Sequence, residues 1–259
     1  MAETIFNQRD AQSGDKKKRL LIVVDGDGAY LYYTGILLQH LDYTIYTTKT
    51  AEEALEVMNI SLPSLVLTEV NLPRMNGMEF LKQLKQNPTT KSIPVVVYSL
   101  SKDPAVRDAC LRGGAAAFLA KPVDPDALYA AIQKSTEATP RSYIRLNTCL
   151  KVIIGDETEA ETASIEDCVT ALSENGMYVS TTRTRPTGAR VPITLSLGSA
   201  TIRIEGMVLY SFDRSRGPLR TPGMGIKFVR IGPREQALIK AFIEKQITSG
   251  LPQTPHAGQ

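Results

Sequence analysis

The sequence predicts an α/β domain with a doubly wound, five-stranded parallel sheet, followed by a small antiparallel β domain and a C-terminal helix. Between residues 19 and 135, short apolar runs alternate with amphipathic segments at helical spacing. Beyond residue 140, apolar and polar residues alternate with a period of two, which is typical of half-buried antiparallel strands. A chain of 259 residues accommodates two such domains, since most domains have roughly 100 to 150 residues.

Five short segments of the first domain, most of them near-continuous apolar runs, predict strands that helices cover on both faces. The runs are 20–24, 44–48, 64–68, 94–99 and 116–120. Segments with helical periodicity fill the gaps between them. In an open parallel sheet of this kind, we expect a functional site at the carboxyl ends of the strands.

The second domain is predicted from alternating patterns over residues 191–197 and 202–212. Further strands are expected at 150–154, 177–180 and 225–229. A helix is predicted to begin at Pro233, since proline favours the first helical position. The pattern by itself allows either a barrel or a sandwich.

The segment STEATP breaks the last helix of the first domain and introduces a linker. We therefore assign residues 19–135 to the first domain and 136–146 to the linker. The second domain spans residues 141–247 and shares its first residues with the linker. The polar segments 1–18 and 248–259 are predicted to be disordered tails.

Composition excludes several classes of protein. With 42% hydrophobic residues and no apolar run near the roughly 18 residues of a membrane span, we expect no membrane insertion. The first residues lack the layout of a secretory signal, which predicts a cytoplasmic protein. Three widely spaced cysteines suit reduced thiols without a disulfide.

The chain is not expected to be an enzyme or a metalloprotein. Neither of its two histidines, His40 and His256, has a cysteine or a carboxylate pair at the sequence spacing of metal ligands. The residues that usually form metal sites or catalytic histidine sites are therefore missing from the sequence pattern. The net charge of +3 is too small to favour duplex DNA. The excess of basic residues in the second half favours a small anion there.

Four segments carry a resemblance to a known family: LLIVVDGDG, LVLTEVNLPRMNG, IPVVVYSLS and AAFLAKPVD. Together they resemble the CheY-like receiver domain of two-component response regulators, a flavodoxin-like fold. In that family, two acidic residues close the first strand and an aspartate that ends the third strand accepts a phosphoryl group. A serine or threonine ends the fourth strand, and Lys-Pro follows the fifth.

This sequence departs from the receiver pattern at two positions. Asp25 and Gly26 occupy the acidic pair, Glu69 stands in the position of the phosphoacceptor, and Ser99 and Lys121 match the family. Gly26 removes a carboxylate ligand for Mg²⁺, so no metal is expected. Glu69 carries its carboxylate one methylene farther out, and a displacement of about 1 Å can cost a hundredfold in rate. The resemblance therefore implies a pseudo-receiver that is not phosphorylated.

Two interpretations of the altered site remain open. Glu69 either pairs with Lys121 and imitates the charged, activated site, or it is a relic that stabilises the strand ends together with Ser99 and Lys121. A solvent-accessible pair would contribute only about 0 to 1 kcal/mol. In both cases the domain is expected to bind a protein partner or a second copy of itself. The face that receivers commonly use corresponds to residues 104–134.

Three segments of the second domain carry a second resemblance. RSYIR contributes Arg141 and Arg145, ALSENG contributes Ser173 and Gly176, and the third segment covers residues 223–246. They resemble the PilZ domain, a small six-stranded barrel that binds cyclic di-GMP, through its motifs RxxxR and (D/N)xSxxG. The resemblance implies that these arginines, Ser173 and Gly176 bind cyclic di-GMP.

The expected ligand chemistry has one gap. Guanine offers O6 and N7 as paired acceptors, which a planar guanidinium binds bidentately. Ala171, however, replaces the acidic or amide residue of the motif and cannot accept from the guanine N1 and N2 hydrogens. A missing hydrogen bond to a charged group, worth about 1.5 to 3 kcal/mol, corresponds to roughly 10- to 150-fold weaker binding.

The sequence therefore predicts a cyclic di-GMP-responsive signalling effector that relays binding to a protein partner, in motility, pilus or polysaccharide regulation. The alternative is a scaffold that binds proteins but not cyclic di-GMP. In that alternative, Arg141 and Arg145 belong to a solvated linker and residues 173–176 form only a turn.

Overall fold

A computed structural model of the chain describes residues 19–155, 167–212 and 222–251. These residues divide into two compact units. Of the described residues, the α/β unit comprises 19–144 and 247–251, and the barrel unit comprises 145–155, 167–212 and 222–246. The predicted N-terminal tail, and the predicted C-terminal tail from residue 252 onward, lie outside the described residues.

The α/β unit contains one parallel sheet with strand order β2-β1-β3-β4-β5. The strands are β1 (Leu20–Val24), β2 (Thr44–Thr48), β3 (Leu65–Thr68), β4 (Val95–Ser99) and β5 (Ala117–Ala120). The helices are α1 (Gly28–His40), α2 (Ala51–Ile60), α3 (Gly77–Gln86), α4 (Pro104–Arg112) and α5 (Pro125–Thr136). The predicted doubly wound α/β fold is confirmed.

Each helix of this unit begins at a side chain that accepts hydrogen bonds from its first turn. The capping residues are Asp27, Thr50, Asn76, Asp103 and Asp124. Their oxygens satisfy backbone N–H groups that have no partner within the helix. Strands β3 and β4 are buried along their whole length, as expected for a sheet covered on both faces.

The barrel unit is a closed, antiparallel barrel with strand order β10-β11-β8-β7-β6-β9. Its strands are β6 (Leu146–Ile154), β7 (Cys168–Ser173), β8 (Gly176–Ser180), β9 (Arg190–Leu197), β10 (Ala200–Phe212) and β11 (Gly223–Arg230). Helix α6 (Pro233–Ile247) follows. The expected six-stranded barrel is confirmed and the sandwich is not. Within the described ranges, no helix has both the length and the apolar character that crossing a bilayer requires.

Two irregularities flank the middle of β7. The ladder with β6 shifts register between Asn147 and Leu150, and the ladder with β8 shifts between Val169 and Ala171. Such bulges insert one extra residue and break the period of two. The buried residues Val169 and Leu172 are consequently three positions apart, which is why alternation did not predict this strand.

Candidate functional site

Four of the residues predicted from the receiver pattern meet at the carboxyl edge of the parallel sheet. Asp25 follows β1, Glu69 follows β3, Ser99 ends β4 and Lys121 follows β5. Each is at most 4% exposed. The topology of the sheet thus brings residues from four separate segments into one buried cluster.

Lys121 is the centre of this cluster. Its Nζ lies 2.5 Å from Oδ2 of Asp25 and 2.7 Å from Oε2 of Glu69. The side chain of Lys121 is 1% exposed and those of the two carboxylates are 2% and 5% exposed. The pair is therefore not a surface ion pair, to which the value of about 0 to 1 kcal/mol applies. In a buried ion pair, removing one partner costs about 3 to 5 kcal/mol because the other charge is left uncompensated.

The carboxylate of Glu69 accepts hydrogen bonds at both oxygens. Oε1 accepts from the backbone N–H of Val70 at 2.6 Å and of Asn71 at 3.3 Å. Oε2 accepts from the backbone N–H of Leu100 at 3.3 Å in addition to Lys121. The loops after β3 and β4 therefore direct their backbone N–H groups at a carboxylate that belongs to the chain itself.

Asp25 is held as firmly as Glu69. Its Oδ1 accepts from the backbone N–H of Asp27 at 3.0 Å, and its Oδ2 accepts from the hydroxyl of Tyr98 at 2.7 Å. Burial, together with the nearby charge of Asp25, raises the pKa of Tyr98 well above its usual value. Tyr98 therefore stays a neutral donor across the physiological pH range.

Two tyrosines that the sequence reasoning missed surround the ammonium group. The Nζ of Lys121 lies 4.3 Å from the ring centroids of both Tyr30 and Tyr98. Ring faces attract cations, which adds to the stabilisation by the carboxylates. Tyr98 had a signal in the sequence, because a tyrosine inside the buried run VVVYS needs a partner for its hydroxyl.

The residues present do not fit a divalent cation of the Mg²⁺ type. Gly26 offers no side-chain ligand, and a Cβ there would lie 3.1 Å from Cδ of Pro73. The carboxylate of Asp27 caps α1, accepting from Ala29 at 2.8 Å and Tyr30 at 3.4 Å. Across the described parts of the chain, no three His, Cys, Asp or Glu residues are grouped to hold a metal. Only hard oxygen ligands in octahedral geometry would suit that cation.

Ser99 shapes the loop that follows its strand. Its Oγ accepts a hydrogen bond from the backbone N–H of Ser101 at 3.2 Å, so the hydroxyl stabilises the turn between β4 and α4. That turn also carries the amide of Leu100, which contacts Glu69. Ser99 thus supports the cluster through the backbone beside it.

Three of the residues predicted from the PilZ pattern lie at one end of neighbouring barrel strands. Leu146 at the start of β6 pairs with Leu172, and Ser173 pairs with Gly176 across the turn between β7 and β8. Arg145 directly precedes β6 and is half-buried. The register therefore brings Arg145, Ser173 and Gly176 to the same edge of the barrel.

Ser173 and Gly176 also have structural roles in this turn. The buried hydroxyl of Ser173 donates to the carbonyl oxygen of Gly176 at 3.0 Å. A Cβ at Gly176 would collide with the carbonyl oxygen of Ile226, so glycine lets β8 and β11 approach closely. Ala171, on the same strand as Ser173, presents a methyl group where the motif has an acceptor.

Arg141 belongs to the α/β unit rather than to the barrel unit. It is half-buried, and its backbone N–H donates to Oε1 of Gln133 on α5 at 3.2 Å. The segment between the end of α5 and the start of β6 contains both arginines of RSYIR.

Comparisons with known proteins identify the α/β unit. Residues 21–133 match the family model of the response regulator receiver domain. The two-component response regulator ORR3 of Oryza sativa subsp. indica is 36% identical over 90 residues, which cover 34% of this chain and 69% of that protein. Response regulator Rre1 of Synechocystis sp. is 31% identical over 114 residues, covering 44% of this chain and 49% of that protein.

The matched residues cover very different shares of the other similar proteins. Transcriptional regulatory protein GlrR of Escherichia coli is 30% identical over 117 residues, covering 45% of this chain and 26% of that protein. A crystal structure of a putative response regulator from Chloroflexus aurantiacus is 27% identical, with a TM-score of 0.45, covering 47% of this chain and 100% of that chain. The chain thus spans between a quarter and a half of the length of the first curated relatives that it matches.

Proposed function

The chain belongs to the response regulator receiver family through residues 21–133, and on that premise we propose that it is a cyclic di-GMP-responsive signalling effector with a non-phosphorylatable receiver domain. The barrel takes up the dinucleotide as a PilZ domain, and the receiver domain relays this event to a protein partner.

The closed charge cluster carries the first half of the proposal. Lys121, together with the amides of Val70, Asn71 and Leu100, is already bonded to the carboxylate of Glu69. An incoming phosphoryl group would have to compete for these donors without the help of a metal ion. A glutamate in this position also misplaces the nucleophile by about 1 Å.

The proposed binding of cyclic di-GMP is supported by the edge of the barrel that carries Arg145, Ser173 and Gly176. A guanidinium there can bind the O6 and N7 acceptors of guanine or neutralise a phosphate. Binding at this edge remains a proposal that rests on the RxxxR and SxxG motifs and on their register. For the relay, α4 offers a largely exposed helix, in which Leu111 is 38% exposed.

Calorimetry with cyclic di-GMP on the full chain tests the proposal. We expect saturable binding by the wild type and at least about tenfold weaker binding by Arg145→Ala, since a charged hydrogen-bond donor is lost. Arg230→Ala, which removes an arginine with an 82% exposed side chain from β11, is the matched control and should bind like the wild type.

Ala171→Asp provides the opposite change. A carboxylate at position 171 restores the acceptor of the motif and should tighten binding roughly 10- to 150-fold. Absence of heat at high ligand concentration, for the wild type and Ala171→Asp alike, would refute cyclic di-GMP binding and leave the protein-binding scaffold.

The receiver half has its own test. Incubation with acetyl phosphate and Mg²⁺ should add no phosphoryl mass to the wild type, because Glu69 is a misplaced nucleophile and Gly26 provides no metal ligand. The double variant Gly26→Asp, Glu69→Asp, which restores both family residues, is the positive control for the assay. A phosphorylated wild type would contradict the proposal.

A further inference from the structure

A row of residues crosses the outer face of the barrel through Ala171. Asn147 on β6 pairs with Ala171, Ala171 pairs with Tyr178 on β8, and Tyr178 pairs with Gly225 on β11. The methyl of Ala171 therefore lies between an amide on one side and an aromatic residue on the other. Ala171 is half-buried, whereas Asn147 is exposed.

The bulge in β6 puts Asn147 opposite Ala171. Leu150 pairs with Val169, and a regular ladder continued from there would bring Thr148 opposite Ala171. The extra residue of the bulge shifts the register by one and brings Asn147 to this position instead. Directly opposed residues have their Cβ atoms about 4.5 to 5.5 Å apart, so the amide of Asn147 can reach the space above the methyl group.

The ring of Tyr178 extends away from Ala171. A Cβ at Gly223 would lie 2.8 Å from the hydroxyl oxygen and 2.9 Å from Cζ of Tyr178, so the ring lies over β11. It also stacks against Tyr210, with ring centroids 6.4 Å apart. The ring of Tyr178 is therefore directed away from Ala171 on the β8 side, and Asn147 is the paired residue on the β6 side.

We infer that Asn147 supplies the hydrogen-bonding group that Ala171 lacks, and that it binds the edge of a guanine base seated over Ala171. This inference rests on the proposed function. The carbonyl oxygen of an asparagine amide accepts from the guanine N1–H while its NH₂ group donates to O6. Arg145 lies two positions before Asn147, so residues on the same side of an extended chain provide both the charge and the amide.

The position of the amide explains how a barrel with Ala171 keeps a guanine contact. In the family motif the acceptor projects from position 171 itself. Here it projects from the facing strand, across a distance that one side chain spans. The compensation is partial, because a neutral amide oxygen is a weaker acceptor than the carboxylate that Ala171→Asp would provide.

Calorimetry with cyclic di-GMP on full-length variants tests this inference. Asn147→Ala should weaken binding about tenfold, whereas Asn147→Asp, which keeps an acceptor, should bind at least as tightly as the wild type. The decisive variant is Asn147→Ala, Ala171→Asn, which moves the amide back to the motif position and should regain wild-type affinity. A purely structural role of Asn147 does not predict this rescue.

Thr201→Ala, a truncation of an exposed residue on β10, is the matched control and should leave affinity unchanged. If the wild type binds and Asn147→Ala binds equally well, or the double variant shows no rescue, the inference fails while the proposed function stands. If neither the wild type nor Ala171→Asp binds, the proposed function fails and the inference fails with it.

Discussion

Lys121 is a buried cation with two anions and two aromatic faces around it, an arrangement that ties together four strand ends. It contacts Asp25 and Glu69 directly, and the hydroxyl of Tyr98 shares the same oxygen of Asp25. The cluster therefore depends on one side chain for its charge balance. Removing that side chain would leave two carboxylates close together in an environment that water does not reach.

Lys121→Met should destabilise the protein by about 3 to 5 kcal/mol, because both carboxylates then lack their counterion. Urea unfolding followed by far-ultraviolet circular dichroism measures this, since five of the six described helices belong to the α/β unit. Lys102→Met, a change at an exposed lysine near the same strand edge, is the control. A loss below about 1 kcal/mol would mean that the pair behaves like a surface ion pair.

Tyr43 makes the stability of the α/β unit sensitive to alkaline pH. Burial raises its pKa to about 12, although a hydrogen bond from Gln133 lowers it in part. The pKa in the folded state thus lies above the unfolded value of about 10, so the unfolded chain loses this proton first as the pH rises. The contribution of Tyr43 is complete below pH 10 and is lost between about pH 10 and 12.

Tyr43→Phe should remove a slope of up to about 1.4 kcal/mol per pH unit in that interval. Urea unfolding at several pH values between about 9 and 12 measures the free energy of unfolding of the variant and the wild type. Tyr32→Phe, at a residue that is 61% exposed, corrects for the titration of other groups. Equal slopes for Tyr43→Phe and the wild type would contradict the assignment.

At the scale of elements, α5 holds the start of the following segment through one glutamine. Nε2 of Gln133 donates to the hydroxyl of Tyr43 at 3.1 Å, while its Oε1 accepts from the backbone N–H of Arg141. Gln133 is 5% exposed, so both contacts are made away from bulk water. Gln133 thereby connects Tyr43, which directly precedes β2, to Arg141, the first arginine of RSYIR.

Gln133→Ala should expose the amide of Arg141 and increase its hydrogen exchange rate, because the acceptor of that amide is lost. Hydrogen exchange with mass spectrometry on peptides that contain residues 137–144 measures the change. Tyr43→Phe, which removes only the other hydrogen bond of Gln133, should leave this amide protected. Gln83→Ala, at an exposed position of α3, controls for helix propensity. An unchanged exchange rate in Gln133→Ala would refute the anchoring role.

The strands differ in how well the sequence predicts them, for a reason that is visible in the ladders. Strands β1 and β2 have the predicted bounds, and the ladder that joins them has no register shift. Strand β7 lacked a prediction and β6 was predicted four residues too short, because bulges interrupt their alternation. Irregular pairing is a property of two strands together, and one strand's sequence does not encode it.

At the scale of the whole molecule, the sequence predicted the architecture of both units, because helical periodicity and the period of two each extend over many residues. The cluster around Lys121 was predicted as a set of residues because parallel strands end at one edge. Its burial and its two tyrosines were not predicted, since they depend on how helices and loops cover that edge. Likewise, Asn147 had no motif to mark it, and only the shifted register of β6 brings it to Ala171.

The carboxylate of Glu69 gives the receiver domain an anion that is part of its own covalent chain. A phosphoryl group on an aspartate has a lifetime, and its hydrolysis ends the signal. A glutamate side chain neither dissociates nor hydrolyses, so the negative charge at this site does not decay with time. On the proposed function, the receiver domain keeps this charge arrangement for as long as each polypeptide exists, and a change in output would enter through the second half of the chain.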